Sequence, residues 1–208
     1  MACGDELRLP PKELKDFQRK RAKAELKAYF SDRELSSQCS RTVSDYFLSS
    51  DEYKNAPVIF SYMAMKDEID LSIIMKKALD DGKNLCVPRM YPDSNDMDFY
   101  YIDSLDESFS CDKKYKIKEP SEKSRKVEVA SIPGNSVFLC PGLAFNLEGA
   151  RLGRGKGYYD KYLCRVKSNV ILCGVCTVNV ITKAIPCEEN DIRMTHLLNE
   201  YGFISLHR

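Results

Sequence analysis

Short apolar runs rich in β-branched and aromatic residues alternate with segments of helical periodicity along most of this chain of 208 residues, and this alternation strongly constrains the fold. Buried strands are predicted at 57–63, 85–87, 98–102, 136–140 and 170–178, and helices at about 10–30, 32–48, 69–80 and 158–166. Strands that are apolar on both faces are typical of parallel sheets covered by helices on both sides. We therefore expect an α/β protein of three α/β/α layers with a mainly parallel central sheet.

Local signals predict the boundaries of several elements. Ser31 and Glu34 have the spacing of a capping box, which would start the second helix. Pro88 is expected to end the second strand, and the polar segment 103–135 predicts loops with little core. The third helix is expected to bury one face, made of Ile69, Ile73, Ile74 and Ala78.

Charge balance and cysteine usage limit the classes of partner and compartment. The 32 Lys and Arg residues against 31 Asp and Glu give a net charge of +1, which provides no broad attraction for nucleic acid or an anionic membrane. The nine cysteines are odd in number and irregularly spaced, and Met1–Pro11 contains no apolar leader. The longest apolar run, 170–181, is too short to span a bilayer. We expect a cytoplasmic protein with free thiols, one domain over residues 1–208, a monomeric state, and neither nucleic acid nor membrane as partner.

The segment 149–160 carries the most specific chemistry. It follows the strand at 137–139 and precedes a helix that begins near Tyr158, so it lies at the carboxyl end of a strand, where α/β sheets bind ligands. Glycines alternate there with cations: Gly153, Gly155 and Gly157 with Arg151, Arg154 and Lys156. Glycines let backbone N–H groups approach an anion, and the cations and the helix N-terminus add positive charge. The pattern predicts a polyphosphate-binding loop; the alternative is a solvated basic loop.

This loop differs from the two common nucleotide-binding motifs. A P-loop requires Gly-x4-Gly-Lys-Ser/Thr, but Ala150 occupies the first glycine position and Gly157 the hydroxyl position. The dinucleotide motif Gly-x-Gly-x-x-Gly fails because Tyr158 stands at its last glycine. Neither a P-loop nor a dinucleotide-binding fold is therefore predicted.

The run 141–160, with the pattern Pro-Gly-Leu-Ala-Phe-Asn-x-x-Gly-x-Arg-Leu-Gly-Arg-Gly-Lys-Gly-Tyr-Tyr-Asp, resembles the signature of the 5-formyltetrahydrofolate cyclo-ligase family. The resemblance extends to 60–69, 87–89, 97–99 and 186–191. It implies an isomerase/CoA-transferase-like fold and an ATP-driven ring closure. In that reaction the N5-formyl oxygen of 5-formyltetrahydrofolate attacks the γ-phosphate of MgATP. N10 then attacks the activated carbon, and phosphate leaves to give 5,10-methenyltetrahydrofolate.

The resemblance also implies the roles of individual residues. The ATP-binding loop comprises Arg151, Leu152, Gly153, Arg154, Gly155, Lys156, Gly157, Tyr158 and Tyr159. Arg154 and Lys156 are the expected catalytic residues, which neutralise the transferring phosphate. The folate is expected to contact Met63, Glu68 and residues 154–158, with the Glu68 carboxylate on the donor edge of the pterin. Asp160 and Asp191 are the expected ligands of Mg²⁺, which binds readily to one or two carboxylates together with phosphate oxygens.

Two of these assignments have alternatives. The family places a Lys-x-x-x-Arg pair of its basic N-terminal helix near the ATP phosphates, and Lys15 with Arg19 has that spacing. Arg19 with Lys23 matches nearly as well, and a solvated basic helix face would also explain the pattern. Glu68 could instead be an acidic residue at a helix N-terminus, where the helix dipole favours negative charge.

A few residues depart from the family or suggest other chemistry. Asn146 stands where the family usually has Asp, and Thr195 where some members have a further acid. Cys173 and Cys176 form a Cys-x-x-Cys, but a strand would direct them to opposite faces, so we expect buried small apolar groups. His196 is expected at the surface, near a C-terminal helix. A non-catalytic binding module and a sugar-phosphate isomerase are the competing functional hypotheses.

Overall fold

The computed structural model describes residues 10–106, 109–111, 118–121, 123–167 and 169–206. Nearly all of the segment 1–11, where we expected no apolar leader, lies outside the described residues. The helices are α1 (Pro11–Tyr29), α2 (Arg33–Ser49), α3 (Asp51–Asn55), α4 (Ser72–Asp80) and α5 (Tyr158–Leu163). The strands are β1 (Val58–Phe60), β2 (Asn84–Tyr91), β3 (Asp96–Ile102), β4 (Ser110–Cys111), β5 (Lys118–Glu119), β6 (Val137–Pro141), β7 (Ala144–Phe145), β8 (Arg151–Leu152), β9 (Ile171–Val175), β10 (His196–Asn199) and β11 (Gly202–Ser205).

The central sheet has seven strands in the order β11-β10-β9-β6-β1-β2-β3. The five inner strands run parallel, and β3 and β11 pair antiparallel at the two edges. Hairpins β4-β5 and β7-β8 lie outside this sheet. The mainly parallel sheet predicted from the apolar runs is confirmed.

Alternation along the inner strands builds a hydrophobic core on each face of the sheet. Phe60 belongs to the core covered by α1 and α5, whereas Ile59 belongs to the core covered by α2 and α4. Phe60 and Phe138 stack with ring centroids 3.9 Å apart, and Phe99 meets Phe60 edge-on. This packing gives the predicted three layers and fixes the carboxyl ends of β1 and β6 side by side.

Strand β2 continues through Pro88 to Tyr91, so the prediction that Pro88 ends it is wrong. The reason is the position of Pro88 in the sheet. Strand β1 pairs with β2 only from Asn84 to Cys86, and beyond that point β2 has β3 as its only neighbour in the central sheet. Proline is tolerated where one side of a strand makes no ladder hydrogen bonds.

Helix α2 starts one residue later than the capping-box prediction requires, because Asp32 is its N-cap. Asp32 Oδ1 accepts the backbone N–H groups of Glu34 and Leu35, each at 3.0 Å. The Ser31 hydroxyl instead donates to Ala28 O at the end of α1. An aspartate serves as well as a serine in this role, so the residue after the predicted one caps the helix.

Several other elements differ in extent from their predictions. Ile73 on α4 is 41% exposed, whereas Ile74 and Ala78 are buried, so the apolar face is narrower than predicted. Strand β1 covers three residues of 57–63, and α5 ends at Leu163 rather than at 166. Val127 and Ile132 are buried, so the segment 103–135 contributes more core than expected. Among the described helices, none is long and apolar enough to cross a membrane.

Candidate active site

A cavity of about 720 Å³ opens at the carboxyl ends of β1, β2 and β6. Its walls are one face of α1, the segment after β1, the loop that joins β8 to α5, and residues 188–191. Every site residue predicted from the sequence lines it, from Lys15 to Asp191. The volume lies in the range of sites for nucleotide-sized or drug-sized ligands.

The α1 wall presents a row of cations to the cavity: Lys12, Lys15, Arg19 and Lys23. Spacings of three and four residues place them on one helix face. Lys15 is buried, and its Nζ lies 2.7 Å from Asp191 Oδ2 and 3.2 Å from Glu188 Oε1. Arg19 Nε donates to Gly153 O at 3.1 Å. Both alternative pairs therefore face the cavity. Among the described residues, only the pair of Lys15 and Arg19 has both members in contact with predicted site residues, Asp191 and Gly153 respectively.

Burial acts against the charge of Lys15, but its hydrogen bonds to Asp191 and Glu188 outweigh burial and raise the pKa of the ammonium. Burial likewise opposes ionisation of Asp191. The hydrogen bonds from Lys15 and from the Glu188 backbone N–H outweigh that effect and lower the pKa of this carboxyl. Both groups therefore carry full charge near neutral pH, and α1 is tied to the far end of the chain.

The glycine-rich loop needs its glycines at two points. Gly155 has φ +97° and Gly157, the N-cap of α5, has φ +72°, conformations that L side chains rarely adopt. Between them, Lys156 is exposed and makes neither a hydrogen bond nor an ion pair within the described part of the chain. The loop thus places Lys156, a cation without a described ion-pair partner, at the cavity.

Arg154, in contrast, is already paired with two carboxylates. Its Nη2 lies 2.7 Å from Asp67 Oδ1 and 3.1 Å from Glu68 Oε1, and its Nε donates to Glu68 Oε1 at 3.3 Å. Burial weakens the charged form of Arg154, but the two carboxylates more than compensate and raise its pKa. Burial also raises the pKa of Glu68, against the opposing pull of Arg154 and of the Met65 N–H. Glu68 precedes α4 by several residues and is bound to Arg154, so its alternative reading as a helix-start acid is wrong.

Arg151 and Asp160 form the most buried ion pair of the site. Arg151 Nη2 lies 2.8 Å from Asp160 Oδ2, and the arginine side chain is only 4% exposed. The guanidinium also lies over the Tyr159 ring, 5.4 Å from its centroid. The second Asp160 oxygen, Oδ1, accepts the Ile192 N–H at 3.2 Å. Asp160 therefore lies against the backbone that carries Asp191.

These contacts bring the two predicted magnesium ligands together. Across the described residues, no group of three or more His, Cys, Asp or Glu side chains forms a metal site. Asp160 and Asp191 supply two carboxylates here, and Asp191 Oδ1 accepts no hydrogen bond from a described residue. Two carboxylates beside a phosphate-sized cavity fit the way Mg²⁺ binds, through few protein ligands and the oxygens of the nucleotide.

Sequence reasoning missed several residues of the site: Lys12, Tyr62, Met65, Asp67, Pro88, Met90 and Glu188. The spacing of Lys12 from Lys15 and of Glu188 from Asp191 was an available signal, since the members of each pair are three positions apart. Asp67 adjoins Glu68 but carries no signal of its own, because its partner Arg154 is 87 positions away. The apolar residues of the cavity can be identified only from the structure, which places strands β1 and β2 side by side.

The two departures from the family pattern lie outside the cavity. Asn146 is buried, and its Oδ1 accepts the N–H groups of Glu148 and Ala150 at 3.1 and 2.8 Å. A neutral amide holds this turn without a carboxylate. Thr195 Oγ1 accepts the Leu172 N–H at 3.0 Å, so it connects neighbouring strands and contributes nothing to a metal site.

Cys173 and Cys176 are free, buried and on opposite faces of the sheet, as predicted. Burial raises the pKa of both thiols, which makes them unreactive. His196 lies on β10 rather than near a C-terminal helix, and its side chain is only 13% exposed, so the prediction of a surface histidine is wrong. Its ring stacks on Phe203 with centroids 5.1 Å apart, because the chain returns as an antiparallel strand there.

Fold and site together define a three-layer α/β protein with a cation-lined cavity at the carboxyl ends of its parallel strands, suited to a large anionic ligand. Residues 11–200 match the 5-formyltetrahydrofolate cyclo-ligase family. The chain is 32% identical to 5-formyltetrahydrofolate cyclo-ligase of Mus musculus, across 74% of this chain and 78% of that protein. It is 30% identical to a probable 5-formyltetrahydrofolate cyclo-ligase of Schizosaccharomyces pombe, across 71% and 76%.

Among solved structures, the chain is similar to the NMR structure of 5,10-methenyltetrahydrofolate synthetase from Aquifex aeolicus. The TM-score is 0.77 at 28% identity, and the match covers 94% of each chain. The chain belongs to the 5-formyltetrahydrofolate cyclo-ligase family. The resemblance first seen in the segment 141–160 is confirmed.

Proposed function

We propose that this chain catalyses the ATP-dependent cyclisation of 5-formyltetrahydrofolate to 5,10-methenyltetrahydrofolate, with release of ADP and phosphate. The observation that carries the proposal is that one cavity combines a row of cations, a glycine-rich loop and a buried carboxylate. The cations suit a triphosphate, and the carboxylate suits a heterocycle with an edge of N–H donors. Phosphoryl transfer requires positioning and charge neutralisation more than a protein nucleophile, and this cavity offers both.

The phosphate end of the cavity lies between α1 and the glycine-rich loop. Lys15 and Arg19 approach residues 191 and 153 from the helix, and Lys156 extends from the loop. We assign Lys156 to the transferring phosphate because its charge is not neutralised by any described residue. Arg154 assists through the part of its guanidinium that the carboxylates leave unused. Arg151 contributes mainly by fixing Asp160.

The folate end lies around Glu68, Met63 and the first residues after β1. The Glu68 side chain is 11% exposed, so a hydrogen bond that it accepts from a pterin N–H is shielded from water. Tyr62, Met65 and Met90 line the same cavity and offer apolar surface to the flat ring. In this arrangement the formyl oxygen faces the loop that holds the γ-phosphate.

Asp160 and Asp191 would hold Mg²⁺ on the nucleotide. A metal ion held by these carboxylates would supply positive charge to offset that of the nucleotide phosphates. The protein contributes the placement of both carboxylates: Arg151 and the Ile192 N–H orient Asp160, and Lys15 orients Asp191.

The experiment is a spectrophotometric assay of methenyltetrahydrofolate formation from 5-formyltetrahydrofolate, with and without MgATP. Product should form only with the nucleotide. Lys156→Ala should lower kcat/KM by about a hundredfold, the usual effect of losing one preorganised charged donor. Lys20→Ala, a lysine of α1 that does not line the cavity, is the matched control and should retain full activity. Turnover by Lys156→Ala at the wild-type rate would contradict the assigned role.

We also propose that residues 1–208 form one domain that acts as a monomer in the cytoplasm. The cavity draws residues from both ends of the described chain, which supports a single unit. The seven described free cysteines support a reducing compartment. Light scattering of the purified protein tests the monomeric state, and localisation of a tagged chain tests the cytoplasmic location.

A further inference from the structure

Asp67 does not line the cavity, yet its contact with Arg154 points to a role in the reaction. Asp67 Oδ1 accepts a hydrogen bond from Arg154 Nη2 at 2.7 Å, the shortest contact that this arginine makes with a described residue. We propose that Asp67 is a positioning residue that fixes the orientation of the Arg154 guanidinium toward the transferring phosphate. The inference rests on the proposed function, because it takes Arg154 as a group that contacts that phosphate.

The use of the arginine donors supports this role. A guanidinium has five N–H donors in one plane. The two hydrogens of Nη2 have two acceptors, Asp67 and Glu68, and the one hydrogen of Nε has Glu68. Nη1 donates to none of the residues that the structure describes. Its two hydrogens therefore remain for a ligand, and the planarity of the group means that the bonds on the other nitrogens set the direction of Nη1.

Glu68 alone would not fix this direction. Both of its hydrogen bonds from Arg154 converge on one oxygen, Oε1, while Oε2 accepts the Met65 N–H. A guanidinium held at a single oxygen can pivot about it. Asp67 adds a second, separate point of attachment, and its side chain is only 25% exposed, so water competes weakly for the bond.

The same pairing separates the tasks of the two loop cations. Arg154 faces two carboxylates, so its charge is locally compensated, whereas Lys156 is uncompensated. Arg154 therefore acts through the geometry of its donors, and the effect of losing Asp67 should fall on the chemical step. Ground-state binding of ATP depends on other cations, Lys15 and Arg19 among them.

Asp67→Ala tests the proposal, since it removes the oxygen that accepts the Arg154 Nη2 hydrogen bond. In steady-state cyclisation assays, kcat should fall by about tenfold to a hundredfold, as for small misplacements of a catalytic group. The KM for ATP should stay within about twofold of the wild-type value, because the residues that bind ATP in the ground state are unchanged. Asp70→Ala is the matched control: this aspartate accepts the Ser72 N–H at 2.9 Å at the start of α4, and its replacement should leave kcat unchanged. Thermal unfolding of both variants checks that each is folded.

A double-mutant cycle with Arg154→Lys distinguishes positioning from a general structural effect. Lysine lacks the planar fork, so Asp67→Ala should add less than about a twofold loss in that background. Losses that multiply in the double variant, or a wild-type kcat for Asp67→Ala alone, would overturn the role of Asp67. A wild-type protein without cyclisation activity would instead contradict the proposed function.

Discussion

Replacing Asp160 by alanine removes the carboxylate that neutralises a nearly buried arginine. Arg151 is 4% exposed, and its Nε has no hydrogen-bond acceptor among the described residues. Deleting one partner of a buried ion pair costs about 3–5 kcal/mol, because the remaining charge has lost both water and counter-ion. Asp160 is 23% exposed, so water enters in its place, and we expect the lower end, about 3 kcal/mol. For a chain of this length that lowers Tm by about 6–12 °C.

Asp160→Asn is the matched variant, because its amide oxygen can still accept one of the two hydrogen bonds. It should lose only about 1 kcal/mol, the value of an ordinary hydrogen bond. Thermal and urea unfolding without ligand measure both losses, and a magnesium titration of the cyclisation rate measures the metal. Both variants should need more Mg²⁺ for half-maximal activity. Stability of Asp160→Ala within about 0.5 kcal/mol of wild type would refute the ion-pair reasoning. An unchanged titration for Asp160→Asn would refute the ligand assignment.

Three further changes test other parts of the site and core. Lys15→Ala should raise the KM for ATP by about tenfold, the value of a charged hydrogen bond, whereas Lys23→Ala, which makes no described ion pair, should change it by less than about threefold. Equal effects in the same kinetic assay would contradict this assignment. Joint replacement of Cys173 and Cys176 by alanine should leave kcat intact in folded protein, and complete loss would reveal a chemical role. Burial raises the pKa of Glu68 above its ordinary value of 4.5, so wild-type stability should fall as pH rises from that value through the raised pKa. Urea unfolding at a series of pH values measures this fall, which Glu68→Gln should lack. The same pH dependence of stability in wild type and variant would count against a raised pKa of Glu68.

Local signals predicted the parallel sheet and the glycine-rich loop well. The run 136–140 is apolar throughout because both faces of β6 are buried, and that requirement shows directly in composition. Gly155 and Gly157 have backbone angles that other residues rarely adopt, so the loop can also be recognised in the sequence. Features that follow from one short segment were therefore the ones predicted correctly.

Predictions failed where distant segments decide the outcome. Pro88 continues a strand because of where β1 stops, and Ile73 is exposed because α4 faces the sheet along a narrow stripe. The pairing of Arg154 with Asp67 joins residues 87 positions apart, and neither side chain indicates the other. The sequence therefore identified many residues of the cavity, but not which of their charges neutralise one another.

The bond between Lys15 and Asp191 joins residues 176 positions apart. During synthesis α1 emerges from the ribosome long before its acidic partners are translated. A nascent polypeptide that has already formed its first strands therefore has no complete cavity until residues 188–191 are made, because they close the wall opposite the cationic face of α1.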